Sequence, residues 1–164
     1  MDGQLRAGRL SLMSAVIEPS LTLMRRFEAP VSLVFAAWTE PERMLQWWAT
    51  KDAVTLRAEA DLRAGGGFRV AFRTPDGETH DVSGAYLEIE KNRKLVFTWA
   101  WITTPERRSR VTLLFKDEGE KTLLTLIHDR FFDEGARDDH RNGWSQALDN
   151  LDRFIISACG SSGA

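Results

Sequence analysis

Residues 95–115 read LVFTWAWITTPERRSRVTLLF, and the way this stretch folds decides the rest. Side chains of a strand alternate between faces, so Leu95, Phe97, Trp99 and Trp101 stand on one side. Val96, Thr98, Ala100 and Ile102 stand on the other. Three aromatic rings on one face need a large element to pack against or a space to line. Further along, Val111, Leu113 and Phe115 repeat the two-residue period, with Arg108, Arg110 and Thr112 opposite. That pattern predicts a second strand, starting near Pro105, and a hairpin.

The same period extends outward in both directions. Thr122 to His128 is read as a strand, with Leu124, Leu126 and His128 on one side, after the turn Asp117-Glu118-Gly119-Glu120. His80 to Glu90 is read as a strand carrying a bulge at Gly84. Thr74-Pro75-Asp76-Gly77 is a turn signal, and before it Phe68, Val70 and Phe72 face one way from the Gly65-Gly66-Gly67 turn. Ala53 to Leu62 is a further strand, and Ser20 to Phe27 is the first. Between these two, Val31, Val34, Phe35 and Trp38 repeat at helical spacing after Pro30. Pro41 opens a second short helix carrying Met44, Leu45, Trp47 and Trp48. From Glu134 to about Ser157 the apolar residues recur at three- and four-residue steps, which predicts one amphipathic helix of roughly 24 residues, about 36 Å long.

The expected fold is therefore α+β: a curved antiparallel sheet of about seven strands around a long C-terminal helix, with two short helices after the first strand. Tight turns favour antiparallel pairing, and the long helix is the element large enough to cover the aromatic strand. The 164 residues, 43% hydrophobic, suit one domain over 19–158. Residues 1–18 read as a flexible leader and 159–164 as a disordered tail.

Composition excludes several function classes. A formal net charge of −2 does not suit a nucleic-acid binder, and the run Glu106-Arg107-Arg108-Ser109-Arg110 reads as the solvated side of a sheet. Apolar runs are too short for a membrane span or a signal peptide. A single cysteine, Cys159, permits no internal disulfide and points to a reducing cytoplasm.

Catalytic signals are thin. Gly65-Gly66-Gly67 lacks the lysine and hydroxyl of a phosphate loop. His80, His128 and His140 do not have metal-ligand spacing, so neither a metal nor a cofactor is expected. Asp133, Glu134, Asp138 and Asp139 suit the positive end of a helix dipole. No Ser-His-Asp or Cys-His set emerges, and no catalytic residue is assigned. The six tryptophans carry more information. Trp47 or Trp48, Trp99, Trp101 and Trp144 converge, either filling a core or lining a pocket. Gly143 beside Trp144 thins the helix where space would be wanted.

The stretches RRFEAPVSLVFAAWTEPERMLQWW, GGGFRV, LVFTWAW, RSRVTLLF, TLLTLIH and DDHRNGWSQALDNL, with Gly84 to Ile89, span roughly residues 20 to 155. In this order they resemble the helix-grip fold of START-like domains and the birch-pollen allergen. More closely, they resemble the family named for the C-terminal domain of the activator of heat-shock protein 90 ATPase. The resemblance implies a pocket between sheet and long helix, closed by the two short helices. Its expected lining is Trp47, Trp48, Phe68, Tyr86, Phe97, Trp99, Trp101, Trp144 and Leu148, with His128 and His140 at the mouth. The expected function is binding of a small hydrophobic or aromatic ligand. The alternatives are a chaperone-associated protein and an enzyme of the polyketide cyclase or dehydratase kind, and a second copy of the chain is a further candidate partner.

Overall fold

The computed structural model describes residues 18–163, with side chains through Ala158. All but the end of the expected leader lies outside the described residues. In chain order the elements are β1 (Leu21–Phe27), α1 (Val31–Thr39), α2 (Pro41–Met44), β2 (Val54–Ala60) and β3 (Gly67–Arg73). Then come β4 (Thr79–Glu90), β5 (Lys94–Trp101), β6 (Ser109–Asp117), β7 (Thr122–Asp129) and α3 (Glu134–Gly163). The seven strands form one antiparallel sheet in the order β1-β7-β6-β5-β4-β3-β2. This is the helix-grip architecture.

Register explains why the sheet has one apolar face. Leu23 pairs with Leu126, Leu126 with Leu113, Leu113 with Leu95, and Leu95 with Ile89. That row crosses five strands without a polar residue, and a slip of one residue in any strand would turn its leucine or isoleucine to solvent. Against this face α3 lays Trp144, Ala147, Leu148, Leu151 and Ile155, all buried. At the other end of the sheet, α1 buries Val31, Val34, Phe35 and Trp38, with the Phe35 ring edge-on to Phe115. Pro41 stands at the first turn of α2, where its missing N–H has no intrahelical partner to lose.

Three local expectations are corrected. Gly84 is not the bulge. Ser83 pairs with Ala100 and Tyr86 with Phe97 in step, and the register shifts between Tyr86 and Glu88. Glycine is required at 84 for another reason: a Cβ there would lie 1.8 Å from the Thr98 carbonyl oxygen and 2.7 Å from the Phe68 ring. Second, β6 starts at Ser109, not near Pro105. Thr104 N–H donates to the Trp101 carbonyl and Arg107 N–H to that of Thr104, each at 3.0 Å, so residues 102–108 coil into turns. Third, α3 does not end at about Ser157 but runs to Gly163.

Candidate functional site

The aromatic face of β5 behaves in two ways along its length. At its start, Phe97 is packed on all sides: Phe68 meets it edge-on at 5.0 Å and Tyr86 at 6.1 Å. Toward its end, Trp99 and Trp101 stand against α3, whose first turns carry His140 and Trp144. The rings contact at 4.9 Å for Trp99–Trp144 and 5.5 Å for Trp99–Trp101. Here the sheet and helix diverge and leave a cleft of about 580 Å³.

Four indoles, Trp48, Trp99, Trp101 and Trp144, form its inner wall. Gly143 and Ala147 of α3 line one side, and at Gly143 an added Cβ would meet nothing nearer than the Thr50 methyl at 3.8 Å. The 49–51 loop closes that side. It is tied to α3 by Asn150, whose amide donates to the Ala49 carbonyl at 2.8 Å, and by Gln146, which accepts from Lys51 N–H at 2.9 Å. The opposite side is the β3–β4 hairpin, with Phe72 stacked on His80 at 5.2 Å. The mouth lies between the 102–108 loop and Phe131-Phe132. Ile102 and Phe132 are about 60% exposed there, and the Arg107 guanidinium sits 3.9 Å above the Phe132 ring.

Hydrogen bonds hold the wall together. Trp99 and Trp101 both donate their indole N–H to His140 Nε2, at 3.2 and 2.9 Å. His140 Nδ1 lies 2.7 Å from the Ala136 carbonyl, which only accepts, so Nδ1 carries the proton. Trp144 donates to His128 Nδ1 at 2.9 Å. His128 Nε2–H therefore donates to Ser109 Oγ at 2.7 Å, and that hydroxyl donates to the Trp99 carbonyl at 3.3 Å. Each imidazole is fixed in one neutral tautomer by an indole, which cannot accept a hydrogen bond. Burial lowers both pKa values from the ordinary histidine range, that of His128 by a wide margin, and His128 is pushed down further by His140. The two imidazole rings are 5.1 Å apart.

The structure divides the expected lining residues into two groups. Trp48, Trp99, Trp101, His140 and Trp144 line the cleft. Trp47, Phe68, Tyr86, Phe97, His128 and Leu148 do not, because that part of the sheet–helix space is filled. Trp47 stacks under Trp48 at 5.1 Å and donates to the Ala37 carbonyl, and Leu148 and His128 are enclosed. Burial also pushes the Tyr86 hydroxyl up to about 12, so it stays neutral. The short helices close the filled end, not the cleft. What the sequence reading missed comes largely from loops: Thr50, Thr103, Thr104, Arg107 and Phe132 reach the cleft only through tertiary folding. Phe72 had a signal, since it shares a face with Phe68 and Val70.

The site's chemistry is correspondingly limited. Ser109 and His128 are in contact, as a nucleophile and base would be, but the Trp144 donor forces the His128 proton onto the nitrogen facing Ser109. That nitrogen cannot take the serine proton. His140 has both nitrogens committed. Among the described residues no three His, Cys, Asp or Glu side chains group as a metal site, and no helix is long and apolar enough to cross a membrane.

Residues 28–155 match the model of the family described as Activator of Hsp90 ATPase homolog 1-like protein. Among solved structures, CalU16 from Micromonospora echinospora is 30% identical, with a TM-score of 0.63, over 84% of this chain and 76% of that one. A protein from Rhizobium leguminosarum is 29% identical, with a TM-score of 0.66, over 85% of this chain and 95% of that one. The AHSA1 protein of Silicibacter pomeroyi shares the fold at 24% identity and a TM-score of 0.76, covering 85% of this chain and 99% of that one. No curated protein matches the sequence.

Proposed function

Because the chain belongs to the activator of Hsp90 ATPase homolog 1-like family, we propose that it uses the family's fold to hold a small apolar or aromatic molecule between β5 and α3. One observation carries this reading: a cleft of about 580 Å³ walled by four indoles. Sites for small molecules are typically about 300–1,000 Å³, mostly apolar, with a few placed polar groups. Three of the four indoles are fixed by hydrogen bonds to histidines. The wall is thus preorganised, and little side-chain freedom remains to be lost on binding.

The fixed tautomers favour binding over catalysis of the cyclase or dehydratase kind, which would need a free base or acid aimed into the cleft. A chaperone-associated role is carried by the family's name and by nothing in the cleft. The lone cysteine suits a cytoplasmic setting.

Thermal unfolding with increasing 2-naphthol tests the reading. A ligand bound only by the folded state raises the midpoint with concentration. A rise is expected for the parent protein and none for Gly143→Leu, whose side chain would occupy the cleft. A midpoint that does not move for the parent, across naphthol and other bicyclic aromatics, removes the proposal.

A further inference from the structure

The polar groups around the cleft are unevenly engaged, and that imbalance indicates what kind of ligand it takes. Asp81 accepts from Nε and Nη2 of Arg69, at 2.9 and 2.7 Å. The Thr74 hydroxyl is taken by Asp76 and lies within 3.4 Å of His80. Both nitrogens of His140 are committed to protein partners. Arg107 is different. Among the described residues it is the one lysine or arginine lining the cleft. Its nearest carboxylate is that of its own neighbour, Glu106, at 4.0 Å with both side chains exposed. Such a contact is weak in water. Stacking over Phe132 steers the guanidinium across the mouth and leaves its N–H edge unclaimed. Phe132 itself is largely exposed, and Arg107 is the partner that covers its face.

Arginine offers a planar fork of donors matched to a carboxylate. We propose that Arg107 anchors the carboxylate of an aromatic acid whose ring system lies against Trp99, Trp101 and Trp144. This rests on the binding reading above and adds the ligand's charge. Asp139, on the α3 wall of the cleft, sharpens the choice. It repels an anion placed on the helix side, so the acid group is directed to the 102–108 loop.

Three ligands with one ring system separate the cases: 2-naphthoate, neutral 2-naphthamide and cationic 2-naphthylmethylammonium, titrated calorimetrically at pH 7.5 in low salt. The naphthoate is expected to bind about tenfold tighter than the amide, a preference that shrinks as salt screens the pair. Arg107→Gln, on an exposed loop, should keep the parent's melting temperature and bring naphthoate down to the amide's affinity, leaving the amide unchanged. Arg107→Lys should restore part of the preference, since it keeps the charge and loses the fork. Equal binding of acid and amide by the parent protein overturns the anchor while leaving the cleft reading intact. So does a preference for the ammonium ligand that Asp139→Asn abolishes. Binding of none of the three overturns both.

Discussion

Two halves of the same sheet bury their side chains equally well and by different means. The half built from β1, β7 and β6 is filled by Leu21, Leu113, Leu124 and Leu126, which are 2% exposed or less. These side chains carry no polar atoms, so close packing alone satisfies them. The half built from β3, β4 and β5, joined by Ser109 at the start of β6 and His128 near the end of β7, is aromatic, and each indole or imidazole brings a donor or acceptor that must be paired. Trp99, Trp101, Trp144, His128, His140 and Ser109 pair among themselves and with backbone carbonyls. Trp38 is the exception: among the described residues its buried indole N–H has no partner. Hydrogen bonds have direction, so an aromatic wall can hold its shape with one side open.

The sharpest way to break this contrast is at the base of the aromatic half, where it is tighter than the aliphatic one. Gly84→Ala would drive a methyl into the Thr98 carbonyl, which belongs to a neighbouring strand and cannot move freely. A loss of roughly 4 kcal/mol or more in urea unfolding is expected, in the range reserved for severe packing conflicts. A near-neutral Gly84→Ala would show that β4 and β5 can separate there.

Next in size is a matched pair of truncations. Leu126→Ala should cost roughly 2–5 kcal/mol with naphthol binding unchanged. Trp101→Ala, at the half-buried edge of the cleft, should cost less than the roughly 3–5 kcal/mol typical of an enclosed aromatic, and should weaken naphthol binding. If both lose the same stability and neither affects the ligand, the two halves do not differ in the way described.

Protons act on the aromatic half and spare the aliphatic one. The folded-state pKa values of His128 and His140 are lowered, so between those values and the unfolded value of about 6.5 the unfolded chain binds more protons. Their contribution to stability is full above about pH 6.5 and is lost as the pH falls below it. The slope approaches about 1.4 kcal/mol per pH unit for His128, whose pKa is lowered by a wide margin, and is shallower for His140. Unfolding measured at pH 7.5, 6.5 and 5.5 should show the decline well before carboxylates titrate. Equal stability at all three would mean that the imidazoles accept protons without disturbing the indoles.

The smallest effect has the opposite sign. Gly143→Ala replaces a helical glycine where space is available, so a gain of up to about 1 kcal/mol is expected, together with weaker naphthol binding. A loss of stability would mean that the cleft is already filled at that point.

The division also explains what could be read from the residues. The alternation in β5, β6 and β7 specified strands, faces and the antiparallel order, because period-two patterning and register are local properties. The spacing from Ala136 to Ile155 likewise specified the covering helix. Convergence of Trp99, Trp101, His140 and Trp144 was legible because all lie on faces those periods define, whereas Trp48 lies beyond α2, which stops at Met44 instead of carrying Trp47 and Trp48 as the spacing suggested. The boundary between filled space and cleft was not, since Phe97 and Trp101 share a face and differ only in how far α3 stands from the sheet. Arg107 looked like a solvated strand residue because the turns after Trp101 depend on backbone hydrogen bonds that no side-chain pattern announces.

The six indoles have one further consequence, and it is optical. Ring centroids run from Trp47 to Trp38 at 4.6 Å, Trp38 to Trp48 at 5.3 Å, and Trp48 to Trp99 at 6.3 Å. From Trp99 the chain branches to Trp144 at 4.9 Å and Trp101 at 5.5 Å. At such separations an excited state migrates between like chromophores faster than it decays. All six tryptophans are therefore expected to emit as one antenna, so that a quencher seated against any cleft-facing ring should darken the whole set, including Trp38 and Trp47, which it never touches.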